Sequence, residues 1–320
     1  MYYHYNNKKK HIIKIMKFDC LLTNPPYQDS SHTEKKNTLW RKWLSFNEKL
    51  LNDNGIFSLV IPSSWMGSGP ILKENFFIDK KIKYNLTHIN RDECRKHFPG
   101  IGSTFSYFVM ENKKYGNKTS IISKNINGTI GVAKDLDLNK CIVDVFPRDL
   151  SDIGLSIIEK TLSDKIEKLG VINNTYNHSV HRSKWSKDES EEFCYPIQNT
   201  PSKLYWYNYP HPHQGLLKLL IPTTTYYRRQ LITTNGVTQS FGYWLIEDGL
   251  DPEIVLNNVN NKLFDYLNEC FRYANWNSVN LLRKLPKLPM DRELTNDDIY
   301  EFFNLTDEEI NHINTMITWR

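Results

Sequence analysis

The sequence predicts an α/β protein in two parts: a partial doubly wound sheet over residues 1–135 and a mixed α/β region with terminal helices over 136–320. Three observations carry this. Strand-length apolar runs alternate with helical spacing between Phe18 and Asn112, the pattern of a layered α/β sheet. After about residue 135 that alternation gives way to a loop-rich stretch, 171–250, crowded with Tyr, Trp, His, Thr and Asn. Helical spacing returns near the C-terminus, from Asp251 onward.

The elements follow in order. Residues 1–17 are lysine-rich and carry no acid, and "HIIKI" at 11–15 is a weak strand. "FDCLL" at 18–22 reads as a short buried strand. Leu39, Trp40, Trp43, Leu44, Phe46, Leu50 and Leu51 fall at helical spacing, and Asn54-Gly55 reads as the helix stop. "IFSLVIP" at 56–62 predicts a second buried strand ended by Pro62. "GPILKENFFIDKK" predicts a short helix, "YNLTHINRD" a strand, and "STFSYFVMEN" at 103–112 a strand closed by a turn at "KKYGNK". Residues 147–170 predict a helix, and "DPEIVLNNVNNKLFDYLNECFRYAN" packs on one helical face. "DRELTNDDIYEFFNLTDEEINHINTMI" holds two short helices, the second opened by a capping box of Thr306 and Glu309.

A chain of 320 residues with 39 % hydrophobic and 24 % charged residues is globular rather than disordered, and long enough for two domains. No apolar run reaches bilayer length, and no signal-peptide core follows the basic N-terminus, so a cytoplasmic protein without a membrane partner is expected. Cys20, Cys94, Cys141, Cys194 and Cys270 are scattered and form no CxxC pair, which argues against a zinc ribbon or a disulfide scaffold. A formal charge of +5 permits a polyanionic partner without demanding one. Eighteen tyrosines and eight tryptophans exceed the needs of one core and place some aromatic rings on a stacking surface.

The chemistry concentrates in Asn24-Pro25-Pro26-Tyr27, directly after the first strand. Open α/β sheets bind ligands at the carboxyl ends of their strands. Two prolines there stiffen the backbone and remove two N–H donors, leaving carbonyl oxygens to accept hydrogen bonds. Asn24 adds a side-chain carbonyl and Tyr27 a flat ring. Acceptors beside a stacking face suit a planar group with an exocyclic amine, such as a nucleobase rotated out of a duplex. A rigid loop with a capping Asn is the plain alternative.

At these residues the chain resembles the amino-methylating DNA methyltransferases, in particular the adenine-N6 enzymes of the NPPY class in restriction–modification systems of the Eco57I type. "FDCLLTNPPYQ" resembles their catalytic motif, "NGIFSLVIPSSWM" their next core strand and loop, and "HFPGIGSTFSYFVMEN" a later strand that helps to hold the base. "NLLRKLPKLP" and "LTDEEINHI" resemble the close of their target-recognition regions. The resemblance implies a Rossmann-like catalytic domain, double-stranded DNA with a flipped adenine as substrate, and S-adenosylmethionine as methyl donor. It implies that the Asn24 side-chain oxygen and the Pro25 carbonyl accept the two amine hydrogens, with Pro26 completing the loop. Tyr27 stacks on the adenine and Phe98 packs on it from another side.

The family's cofactor residues precede the catalytic motif, whereas the 17 residues before Phe18 contain no Gly, Asp or Glu. Gly67-Ser68-Gly69 and Gly100-Ile101-Gly102 do not fit a cofactor loop, so the cofactor-binding residues stay unassigned. Either a second methyltransferase subunit is expected to complement the chain, or the chain is a catalytically inactive DNA-binding recognition subunit or a remnant. Arg228 and Arg229 in "TYYRRQ" are candidate contacts to phosphate or a guanine edge; a solvated basic strand is the alternative. His178, His181 and "HPHQG" at 211–215 lack a third ligand at metal spacing and read as loop or DNA-contact histidines. The acid cluster "DESEEF" has no partner motif for a nuclease.

Overall fold

The computed structural model describes residues 16–27, 39–40, 42–43, 49–66, 77–78, 81–82, 85–93, 104–124, 126, 130–138, 146–173, 182–223, 231–272, 277 and 279–318. The first part is a six-stranded sheet in the order β1-β2-β6-β5-β7-β8. Its strands are β1 (Phe18–Thr23), β2 (Leu51–Pro62), β5 (Asn85–Glu93), β6 (Thr104–Glu111), β7 (Thr119–Lys124) and β8 (Ile130–Leu136). A small hairpin of β3 (Phe77–Ile78) and β4 (Lys81–Ile82) lies between them in sequence, where a helix was expected.

The chain is mixed α/β as expected, and the sheet that stands where a partial doubly wound one was expected is itself mixed. β1 and β2 pair parallel, as do β5 and β7, whereas β6 runs antiparallel to both β2 and β5 and separates them. β1 is also mostly exposed, not buried: Phe18 is 39 % and Leu22 77 % accessible. Among the described residues it pairs on one edge only, and its row of Phe18, Cys20 and Leu22 reaches solvent.

Leu51 already belongs to β2, five residues earlier than the spacing predicted, and Asn54-Gly55 lies inside the strand. Asn54 adopts φ 62° there, and the register jumps from Phe18↔Leu51 to Cys20↔Ile56, a bulge. A Cβ on Gly55 would come within 2.8 Å of Leu51 Cδ2 and 2.9 Å of the Asn52 carbonyl, so only glycine fits. An αL-tolerant Asn followed by Gly reads equally as a helix stop in sequence. Beyond the bulge β2 alternates cleanly: Phe57, Leu59 and Ile61 are buried and form a core with Trp40, Trp65, Leu86, Ile89, Phe108, Phe146 and Leu150.

The second part holds six described helices and two four-stranded sheets. One sheet has the order β10-β12-β11-β15 and the other β14-β13-β16-β9. Their strands are β9 (Ile172–Asn173), β10 (Trp185–Ser186), β11 (Tyr195–Thr200), β12 (Lys203–Tyr207), β13 (Lys218–Pro222), β14 (Leu231–Thr233), β15 (Gly236–Val237) and β16 (Phe241–Leu245). The helices are α1 (Asp152–Leu162), α2 (Pro252–Val259), α3 (Lys262–Phe271), α4 (Val279–Lys284), α5 (Asn296–Phe302) and α6 (Asp307–Met316). α1 is shorter than its predicted span. The long helix expected after Asp251 is two, because the Asn261 side chain accepts from Phe264 N and caps a new start. The Thr306–Glu309 capping box is present, and Thr295–Asp298 forms another. Leu219, Ile221 and Trp244 from the sheets pack with α1, α2, α3, α5 and α6 into a second core.

Residues 146–151 join the two cores. Phe146 and Leu150 enter the first, while Arg148 N donates to the Cys270 carbonyl (2.6 Å) and Asp149 reaches α3 and α6. Among the described residues no helix is long and apolar enough to cross a membrane.

Candidate active site

β1 ends at Thr23, whose partner in the parallel register is Leu59. The chain then leaves the sheet as Asn24-Pro25-Pro26-Tyr27, beside β2, which runs on to Pro62. Prolines end the ladder because they cannot donate to it. Asn24 and Pro26 are exposed, Pro25 is buried, and Tyr27 is half-buried against the first core. The far end is anchored where Leu39 N donates to the Tyr27 carbonyl (3.3 Å), next to the buried Trp40. The structure thus brings Asn24, Pro25, Pro26 and Tyr27 together at the carboxyl edge of a parallel strand pair. An exposed amide carbonyl and a half-buried ring flank a stiff backbone that carries no proline N–H. The arrangement can accept hydrogen bonds from an amine and support its ring.

The β2 side of this edge is a 3-10 turn, Ser63–Met66. Trp65 is fully buried, donates from Nε1 to Ser106 Oγ (2.6 Å), and meets the Phe108 and Phe146 rings at 5.4 and 5.7 Å. Phe146 N donates to the Met66 carbonyl (3.1 Å). Sequence reasoning did not single out Ser63, although its place directly after a strand that pairs with β1 was readable in "VIPSSWM".

Phe98, Arg228 and Arg229 lie outside the described residues, as do "HIIKI", His178, His181 and the glycine pairs Gly67/Gly69 and Gly100/Gly102. The described residues at the carboxyl ends of β1 and β2 do not fit S-adenosylmethionine. They offer Thr23, Asn24, Tyr27, Ser63 and Ser64, with neither an acid for a ribose nor a glycine turn for the methionine part. Asp19 sits at the opposite end of β1, accepting from Asn52 Nδ2 (2.7 Å).

In the second part, exposed Lys184 and Lys203 flank half-buried aromatics, with the Trp185 and Tyr205 rings 4.5 Å apart. The "HPHQG" segment is pinned from within. Lys218 is fully buried and its Nζ donates to the carbonyls of His213 (2.6 Å), Thr234 (3.2 Å) and Leu216. Burial pushes its pKa down to about 8. His211 accepts from His213 N at Nδ1 (3.0 Å), and burial, with Lys218 and His213 nearby, pushes it down to about 4. His213 Nδ1 meets Tyr243 OH at 2.9 Å. These histidines hold a rigid loop.

Residues 3–94 match the family model described as Eco57I restriction-modification methylase. No curated protein matches the chain. Among solved structures, MmeI, a type IIL restriction-modification enzyme in complex with DNA, is similar at 11 % identity and TM-score 0.47, over 84 % of this chain and 45 % of that one. The type IIG restriction endonuclease BpuSI is similar at 11 % identity and TM-score 0.33, over 85 % and 44 %. A chain of a type I R-M system is similar at 15 % identity and TM-score 0.27, over 33 % and 23 %. The chain spans less than half the length of each of these proteins.

Proposed function

We propose that this chain, a restriction–modification methylase of the Eco57I family by its residues 3–94, methylates adenine N6 in double-stranded DNA with S-adenosylmethionine as donor. The observation that carries the reading is the Asn24–Tyr27 loop at the carboxyl end of β1, with Asn24 exposed, Pro25 buried and the Tyr27 ring half-buried.

Asn24 Oδ1 and the Pro25 carbonyl accept the two hydrogens of the amine. This draws the nitrogen lone pair out of conjugation with the ring and fixes its direction. Tyr27 stacks on the flipped base. The loop positions the base and stabilises developing charge without a dedicated base. S-adenosylmethionine supplies an electrophilic methyl group when bound, and the described residues do not hold it.

A second methyltransferase subunit is therefore part of the proposal, and residues 171–250 are assigned to DNA contact, with Arg228 and Arg229 as candidate contacts and Phe98 as a second base-packing ring. The alternative reading is a recognition subunit without catalysis. The two separate when DNA is incubated with labelled S-adenosylmethionine and the chain, alone and with a complementing subunit. Little transfer alone and clear transfer together is the expected result. Strong transfer by the isolated chain would place a donor site among its own undescribed residues, and DNA binding without transfer in either arm would favour the recognition subunit.

A further inference from the structure

We propose that Ser63 contacts the target base, its hydroxyl donating a hydrogen bond to a ring nitrogen of the adenine held by the Asn24–Tyr27 loop. The inference rests on the reading of that loop as the base site.

Ser63 is 0 % exposed, and its Oγ has no hydrogen-bond partner among the described residues. A buried hydroxyl left without a partner is destabilising, so its presence asks for a reason. The hydroxyls of Ser123, Thr200 and Tyr300 also lack a partner, but they lie within β7, β11 and α5. Ser63 lies at the carboxyl end of β2. It continues the buried row of Phe57, Leu59 and Ile61, and the row turns from apolar to polar where it reaches that edge.

The edge is shared with the loop. Thr23 is level with Leu59 in the parallel register, and both strands run out on the same edge of the sheet, β1 at Thr23 and β2 at Pro62, directly before Ser63. Tyr27 packs on the same core as the row that Ser63 ends. Trp65, bonded to Ser106 and wedged against Phe108 and Phe146, holds the 3-10 turn in place, so Ser63 is fixed at the edge.

The chemistry is complementary. Asn24 Oδ1 and the Pro25 carbonyl are acceptors, and Pro25 and Pro26 have no N–H. The loop can grip the amine, yet its prolines offer no donor to the acceptor nitrogens of the ring. A serine hydroxyl carries one donor. Ser63 supplies what the two prolines remove.

The test uses the full chain and a fluorescent duplex carrying one adenine opposite an abasic site, which lowers the cost of flipping. Binding is measured by anisotropy with adenine, 1-deazaadenine, 3-deazaadenine or 7-deazaadenine at that position. Ser63→Ala is expected to weaken binding of the adenine duplex about 5–10-fold, the size of one hydrogen bond. Its thermal midpoint should be unchanged or higher, because an unpaired buried hydroxyl is removed. One deaza analogue should bind the wild type more weakly by a similar factor and lose nothing further in Ser63→Ala. Ser63→Cys, close in volume and a weak donor, should fall between, and it serves if Ser63→Ala does not fold.

Equal adenine binding by wild type and Ser63→Ala would overturn the proposal, as would the same Ser63→Ala loss with all three analogues. Asn24→Ala separates the two levels. If it weakens adenine binding while Ser63→Ala does not, Ser63 alone is misassigned. If neither variant matters, or the wild type does not favour the adenine duplex over one with thymine at that position, the base site is misassigned and the proposal falls with it.

Discussion

Tyr27 packs against the first core, and in the proposed function its ring also stacks on the base. Tyr27→Phe keeps the ring and should change base binding little. Tyr27→Ala should cost roughly 1–3 kcal/mol of base binding, together with a lower thermal midpoint. Anisotropy and thermal unfolding on the same samples check both. A Tyr27→Phe loss as large as Tyr27→Ala would mean that the hydroxyl, and not the ring, is what matters. Asn24 and Tyr27 could be proposed from the sequence because the signal is local: a strand, two prolines, an amide and a phenol in succession. Ser63 could not, because an unpaired hydroxyl is visible only once burial is known.

Local signals also located the elements, and non-local pairing decided the rest. β5 and β6 were placed within a few residues, and the Thr306–Glu309 capping box was readable four residues at a time. The order β2-β6-β5 was not readable, since no local rule says that a later strand inserts beside an earlier one. The connecting segment 146–151 is the clearest case. Asp149 is 1 % exposed and accepts from His312 Nε2 (2.6 Å), Tyr266 OH (2.8 Å) and Ser151 Oγ (2.7 Å), ties that span α3, α6 and the N-cap of α1. Burial works to raise its pKa, but the bonds from His312, Ser151 and Tyr266 outweigh it and leave the carboxyl below its ordinary value. A depressed folded pKa stabilises above the unfolded value, near 3.9, and the contribution fades as pH falls through the folded one. Asp149→Asn should therefore cost about 3 kcal/mol at pH 7, and the gap to wild type should narrow below about pH 4. Chemical denaturation at both pH values measures it. A gap that stays constant with pH would mean that the ionised form is not what the cluster stabilises.

At the scale of the whole molecule the two cores are built differently. The first is a sheet with one strand, β1, largely exposed, and the second wraps helices around two small sheets. Leu219, Ile221 and Trp244 lie inside that second core. Deleting residues 171–250 would thus remove part of it and report on folding instead of recognition. Surface substitutions are the better probe. Lys184→Ala with Lys203→Ala should lower DNA affinity and flatten its dependence on salt, by up to about 0.9 in slope for each phosphate no longer neutralised. An unchanged slope would move the DNA-contact surface elsewhere.

The proposed chemistry turns on Asn24 gripping an adenine amine during methyl transfer. The direct measurement is mass spectrometry of nucleosides from DNA treated with S-adenosylmethionine, the chain and its complementing subunit, wild type against Asn24→Ala. N6-methyldeoxyadenosine is expected with wild type, falling about 100–1,000-fold in Asn24→Ala, while DNA binding and thermal stability change little. N6-methyldeoxyadenosine at equal levels in both samples, or a methyl group found only on cytosine, would contradict it.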